Sequence, residues 1–212
     1  MSRYMMTCSA LVLFVLVASA SAQEQAEQPV FKDGDSWQFV LSQKDTPVST
    51  TERLTGTYEL VYSEGKVNVY EVNGDQKTEV DIKPGGPGDG LAALIGKQEQ
   101  RPTLKFPLLV GQKWKYEYVT RPAGSNADQQ RSVEATVTGI EQVTTPAGSF
   151  KTYKLVREES WQVTRGRTVG WVTGIVTYYY SPETRSIVKS TTANNRSSAT
   201  AQTELIKFTP AK

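Results

Sequence analysis

The sequence predicts an all-β protein: a strongly curved antiparallel sheet, a half-barrel or open barrel, built from two related halves. At most a short helix lies in the connector between them. Three observations predict this. From Val30 onward, β-branched and aromatic residues recur at every second position between turn signals, which is the period of a strand. No long helical pattern interrupts them. A strand opening of one spelling also occurs twice, as Gly34-Asp35-Ser36-Trp37-Gln38-Phe39 and as Gly111-Gln112-Lys113-Trp114-Lys115-Tyr116. In the second copy alternation puts Trp114, Tyr116 and Tyr118 on one face and Lys113, Lys115 and Glu117 on the other.

Residues 1–22 read as a cleaved export signal. A short apolar run over residues 10–18 ends in Ala20-Ser21-Ala22, the small residues that a signal peptidase accepts. The run is too short to span a bilayer, which takes about 20 residues, so no transmembrane segment is expected in the mature chain. Cys8 precedes the apolar run instead of standing at the cleavage point, so no lipid anchor is expected. The address implied is periplasmic or secreted.

The first β half covers residues 23–82. Residues 23–28 are polar and read as a frayed lead-in. Trp37, Phe39 and Leu41 then share one face of a strand. Lys44-Asp45-Thr46-Pro47 turns the chain, and residues 54–62 and 66–72 form a hairpin around Ser63-Glu64-Gly65, whose glycine supplies positive φ. From Asn73 the alternation breaks. Residues 83–105 hold Lys83-Pro-Gly-Gly-Pro-Gly-Asp-Gly90, which sustains neither helix nor strand, and then Leu91-Ala-Ala-Leu94-Ile95, enough for one or two helical turns that persist only if packed. Two readings stand: a mobile connector, or a flap closing Leu91, Leu94 and Ile95 over a cavity.

The second half covers residues 106–212 and forms one folded unit with the first. Residues 121–130 read as a loop, Thr145-Pro-Ala-Gly148-Ser149 as a turn, Arg165-Gly166-Arg167 as a turn into a long strand, and Ser181-Pro182-Glu183-Thr184 as the next turn. The repeat extends past its tryptophans. Gly56 to Gly65 and Gly139 to Gly148 are each 9 residues, and Gly56 to Tyr70 and Gly139 to Tyr153 are each 14. Each half alone holds too few apolar residues for a stable core, so the two are expected to share one. Gly170 and Gly174 stand in one strand on the face of Val172 and Val176; interior glycines mark bends or close approaches, and here they suggest a strongly curved strand.

Composition excludes chemistry. The chain has 212 residues, no His, and one Cys, which lies in the predicted signal. Structural zinc, blue copper, His-ligated haem and the Cys-His or Ser-His-Asp nucleophile pairs are therefore excluded. No catalytic, cofactor or metal site is expected, and no enzyme. A net charge of +2 leaves no basic footprint for nucleic acid. The charged stretches Arg157-Glu158-Glu159 and Arg165-Gly166-Arg167 read as solvated strand ends.

The aromatics carry the remaining signal, with four Trp and ten Tyr in the chain. Trp37, Phe39, Trp114, Tyr116 and Tyr118 read either as core or as the lining of a concave pocket for an apolar ligand, with Leu91, Leu94 and Ile95 as its cover.

Thr145-Pro146-Ala147-Gly148-Ser149-Phe150-Lys-Thr-Tyr153, followed by Tyr179-Tyr180-Ser181-Pro182-Glu183, resembles a pattern of exported bacterial all-β domains of unknown function. The resemblance covers mainly residues 106–192. It implies a fold similar to the half-barrels of periplasmic lipoprotein carriers, by analogy of fold alone. A lipocalin opens with Gly-x-Trp, whereas this chain has Gly-x-x-Trp twice. Two functions are carried forward: a non-enzymatic exported protein that holds a lipid, acyl chain or other apolar small molecule on a concave aromatic face, or an envelope protein-protein interaction module with a filled core.

Overall fold

A computed structural model describes residues 24–44, 56–81, 91–96, 102–120, 128–165, 168–195 and 197–212 of the chain. The predicted signal, the Lys44–Pro47 turn beyond Lys44, most of the Gly/Pro connector, most of the 121–130 loop and the Gly166-Arg167 turn lie outside the described residues. Twelve strands are described: β1 (Gln25–Ala26), β2 (Ser36–Lys44), β3 (Gly56–Ser63), β4 (Lys66–Asn73), β5 (Gln76–Val80), β6 (Leu108–Leu109), β7 (Lys113–Thr120), β8 (Gln129–Thr145), β9 (Gly148–Arg165), β10 (Thr168–Ser181), β11 (Ser186–Asn194) and β12 (Ser197–Thr209). Between β5 and β6 residues 91–95 form a short helical turn.

Ten strands make one antiparallel sheet in the order β5-β4-β3-β2-β12-β11-β10-β9-β8-β7. Among the described residues β5 and β7 are its edges, so the sheet is open, as the fold class predicted. It consists of two meanders. The strands of the first half run β2 to β5 and those of the second β7 to β12. The two are sewn together where β12 pairs with β2, in a register that sets Leu205 opposite Phe39 and Phe208 opposite Trp37. The C-terminal strand therefore joins the two meanders, and β1 of the first half pairs with β6 of the second in a separate two-stranded sheet.

Alternation decides the two faces. Trp37 and Phe39 on β2, Tyr58 and Leu60 on β3, Leu155 on β9, Tyr178 and Tyr180 on β10 and Leu205 on β12 are all buried on the inner face. Side chains of this kind contribute about 1.5–3 kcal/mol each when fully buried. The outer face carries cross-strand ion pairs, Lys115–Glu134 at 2.7 Å and Lys189–Glu204 at 2.8 Å.

The doubled Gly-x-x-Trp opening is also doubled in its hydrogen bonds. The Gly34 N–H donates to the Tyr62 carbonyl and the Tyr62 N–H returns to the Asp35 carbonyl, at 2.8 and 2.9 Å. In the second copy the Gly111 N–H donates to Val137 and the Val137 N–H to Gln112, again at 2.8 and 2.9 Å. Both glycines have positive φ, +98° and +89°, which explains why this position is glycine twice. The match fades farther on. Tyr153 lies opposite Ile140 and is buried on the inner face, whereas Tyr70 lies opposite Glu59 on the outer one. A register shift in β8 between Val137 and Gly139 separates the two copies.

Two sequence readings need correction. Alternation does not stop at Asn73: Gly74 (φ +62°) and Asp75 turn the chain tightly into β5, an edge strand of polar residues. Polarity hid it, because an edge strand with one exposed face needs no apolar stripe. The lead-in is not wholly frayed either. Gln25 and Ala26 pair with Leu109 and Leu108, and Ala26 is buried.

Candidate functional site

The inner face has an apolar stretch and a polar end. On the apolar stretch, Trp37 and Phe39 have no exposed surface. Trp37 stacks on Phe208 at 5.8 Å, meets Phe31 edge-on at 5.6 Å, and donates its indole N–H to the Thr184 carbonyl at 2.7 Å. Leu91, Leu94 and Ile95, together with Ala92 and Ala93, are buried, and the turn they form packs against β11. Gly96 ends the turn in the left-handed region (φ +71°), its N–H reaching back to Ala93. A Cβ at Gly96 would meet Leu104 at 3.4 Å, so the chain leaves the turn in close contact with its neighbours. Beside it, Phe31, Ile95, Leu104, Phe106 and Gln28 border a pocket of about 280 Å³. Leu91, Leu94, Ile95, Trp37, Phe39 and Trp114 thus belong to one buried cluster. Trp114 also donates to the Pro102 carbonyl at 3.1 Å, which ties the start of β7 to the segment after the turn.

Tyr116 packs against that cluster, and Tyr116 and Tyr118 are stacked on each other with ring centroids 6.2 Å apart. They face the polar end, which corrects a third reading. Arg157-Glu158-Glu159 is no solvated strand end. It lies in the middle of the long strand β9, and alternation sends Arg157 and Glu159 inward while Glu158 remains exposed. The Glu159 Oε1 accepts from the Tyr118 hydroxyl at 2.6 Å and from Arg131 Nη1 at 2.5 Å, and its Oε2 stands 3.4 Å from Arg157 Nη2. Arg131 lies over the Trp161 ring at 4.3 Å and gives its other terminal nitrogen to Gln129 Oε1 at 2.8 Å. Arg157 lies over the Tyr178 ring at 5.5 Å. The strand register sets this up: Trp161 is opposite Arg131 on β8, Glu159 opposite Gly174 on β10, and Arg131 opposite Tyr118 on β7. Gly174 leaves room for Trp161, whose ring would stand 3.3 Å from a Cβ there. In sequence this glycine reads as the mark of a curved strand, and in the structure it serves the close approach of a ring.

The electrostatics of the cluster run against burial. Burial alone would raise the pKa of Glu159, but Arg157, the Tyr118 hydroxyl and Arg131 more than offset it and hold the carboxyl below its usual value. Burial also opposes the charge on Arg157, which the surrounding Tyr178, Tyr116 and Glu159 nevertheless keep. The Tyr116 and Tyr178 phenols are pushed up, first by burial. Two polar groups of the cluster have no hydrogen-bond partner among the described residues, the Nε–H groups of Arg131 and Arg157, whereas the Tyr116 hydroxyl shares a hydrogen bond with Arg157.

Sequence reasoning missed Arg131, Arg157, Glu159 and Trp161. A period-two count through Tyr153, Leu155, Arg157, Glu159 and Trp161 would have put the last three on the inner face, and one through Arg131, Val133, Ala135 and Val137 would have added Arg131. Among the described residues no group of three acidic or Cys side chains could hold a metal, and no helix is long and apolar enough to cross a membrane.

No protein-family model matches the chain, and no curated protein sequence matches it. Solved structures do. A candidate lipoprotein from Parabacteroides distasonis is similar over 88% of this chain and 100% of its own, at 11% identity and a TM-score of 0.43. The hypothetical lipoprotein YmcC from Escherichia coli is similar over 84% of this chain and 86% of its own, at 12% identity and a TM-score of 0.41. A candidate exported protein with a YmcC-like fold from Bacteroides fragilis is similar over 87% and 99%, at 14% identity and a TM-score of 0.35.

Proposed function

We propose that the protein is a non-enzymatic exported binding protein that takes an apolar ligand, a lipid or acyl chain, on the inner face of its sheet. One observation carries the reading. The apolar turn at residues 91–95 is buried in one cluster with Trp37, Phe39 and Trp114, packs against β11, and is not itself a strand of the sheet. Trp37, Phe39 and Trp114 would form the wall, and Leu91, Leu94 and Ile95 the cover that a ligand displaces. Export rests on the signal pattern of residues 1–22.

Magnitudes set the ligand class. Exposing Leu91, Leu94 and Ile95 costs about 1.5–3 kcal/mol each, so displacing the turn costs about 5–9 kcal/mol. An acyl chain recovers about 0.8 kcal/mol per buried CH₂. It must therefore bury roughly 6–11 methylenes to break even, which points to chains of about a dozen carbons or more. No covalent step is involved.

A second reading has its own observation. Trp37, Phe39, Leu60 and Leu205 have no exposed surface, as in a filled core that serves only to present a sheet face or edge to an envelope protein. Native mass spectrometry on protein recovered from the periplasm, with organic extraction, separates the two. The carrier reading expects a stoichiometric lipid-like adduct that is lost in Trp114→Ala. A clean apo mass that persists after incubation with lipids refutes it and leaves the interaction module.

A further inference from the structure

The polar end of the inner face holds more positive charge than its own carboxylate balances. We infer that Arg131 and Arg157, with Tyr116, form an anion site, the place for the carboxylate or phosphate head of an acyl ligand. This rests on the carrier reading for the ligand's tail, but the head site stands on separate observations.

Two guanidinium groups share the single carboxylate of Glu159, which meets Arg131 at 2.5 Å and Arg157 only at 3.4 Å. A buried cation without a full partner is costly, and native proteins seldom leave several buried donors unmet. Here both Nε–H groups are unmet among the described residues, and the Tyr116 hydroxyl, which shares a hydrogen bond with Arg157, still has its own proton to give. An anion with two or more oxygens would meet them, because the fork of donors on arginine matches a carboxylate or phosphate. The arginines are also held in place beforehand, Arg131 against Trp161 and Arg157 against Tyr178. Their side chains keep 21% and 18% of their surface exposed. The apolar wall continues directly from it. Val133, Ala135 and Val137 on β8 are opposite Glu159, Arg157 and Leu155 on β9, and a tail laid along this pair of strands would start at the arginines.

Glu159 then acts as the internal stand-in for the ligand's anion. This makes a prediction with an unusual sign: Glu159→Gln frees both arginines and should tighten anion binding, which a purely structural ion pair would not do.

Isothermal titration of the purified protein with dodecyl phosphate, dodecanol and inorganic phosphate tests this. Near-UV circular dichroism would check that Glu159→Gln and the more exposed Arg131→Gln keep the native fold. We expect dodecyl phosphate to bind about tenfold or more tighter than dodecanol, the ratio one charge-assisted hydrogen bond supports. Glu159→Gln should raise only the phosphate affinities, and Arg131→Gln should bring dodecyl phosphate down to the level of dodecanol. If inorganic phosphate binds as tightly as dodecyl phosphate and gains in Glu159→Gln, the anion site holds with a free anion as its occupant, and the acyl carrier reading falls. Equal binding of dodecyl phosphate and dodecanol, indifferent to both variants, overturns the anion site and leaves the carrier. No binding by any of the three overturns both.

Discussion

Asp35 offers the sharpest test of how the fold is tied together. It has no exposed surface. Its Oδ2 accepts from the Lys32 N–H at 2.7 Å, and its Oδ1 accepts from the Ala211 N–H at 2.9 Å and from Arg185 Nη2 at 2.7 Å. One carboxylate thus joins the entry to β2, the β10–β11 turn and the C-terminal tail. Asp35→Ala leaves two amide donors and a mostly buried guanidinium unmet. Breaking a buried pair from one side costs about 3–5 kcal/mol. Arg185 keeps 19% of its side-chain surface and another bond to the Val30 carbonyl, so the lower part of that range, about 3–4 kcal/mol, is expected. For a chain of this size that is a fall in Tm of roughly 6–16 °C. Urea unfolding followed by far-UV circular dichroism would measure it. The control is Gln112→Ala at the same place in the second Gly-x-x-Trp copy. Its bonds are neutral and long, 3.3 Å from the Leu109 N–H and 3.2 Å to the Lys105 carbonyl, so about 1 kcal/mol or less is expected. Equal losses in the two variants would refute the reasoning. The charge adds a pH signature. Burial alone would raise the Asp35 pKa, but the Lys32 and Ala211 amides and Arg185 outweigh it and leave it below the ordinary value. Its stabilisation is therefore complete above the unfolded value of about 3.9 and is lost as pH falls through the lower folded one. Asp35→Asn should lose that part of the acid slope.

Two further predictions follow from single contacts. Trp37→Phe removes the buried indole bond to the Thr184 carbonyl and some packing volume, and should lower stability by about 1–3 kcal/mol with an unchanged urea m-value. Gly174→Leu drives a side chain into the Trp161 ring. A loss of about 1–3 kcal/mol and an altered near-UV spectrum are expected, and an unchanged spectrum would mean that Trp161 does not lie where Gly174 makes room for it.

Much of the fold was legible in the residues because strand alternation and turn chemistry are local. Trp37 and Phe39 on β2, the positive-φ turn at Gly65, the Thr145-Pro-Ala-Gly148 turn between β8 and β9 and the Ser181-Pro182-Glu183-Thr184 turn between β10 and β11 all follow from neighbours within a few positions. The two turn motifs also show what they are for. Ala147 donates to Thr145 Oγ1 and to the Leu205 carbonyl, and the Thr184 carbonyl receives the Trp37 indole, so each motif ties a turn to a distant strand. The polar cluster was less legible. Arg157 and Glu159 read as solvent-facing because charge is normally outside, and that rule outweighed the alternation that sends them in. β5 was missed for the opposite reason, since a polar edge strand leaves little pattern to find.

The sequence by itself determined that the chain is all β, that it opens two similar strands with Gly-x-x-Trp, and that it holds no His. Each of these depends on residue identity or on spacings of a few positions. Only the tertiary structure decided that β12 joins β2 and unites the halves, that the turn at residues 91–95 lies on the inner face, and that Arg131, Arg157 and Glu159 meet there. Those outcomes bring together residues many positions apart, and they are set by strand register and by which distant surface each buried face can cover.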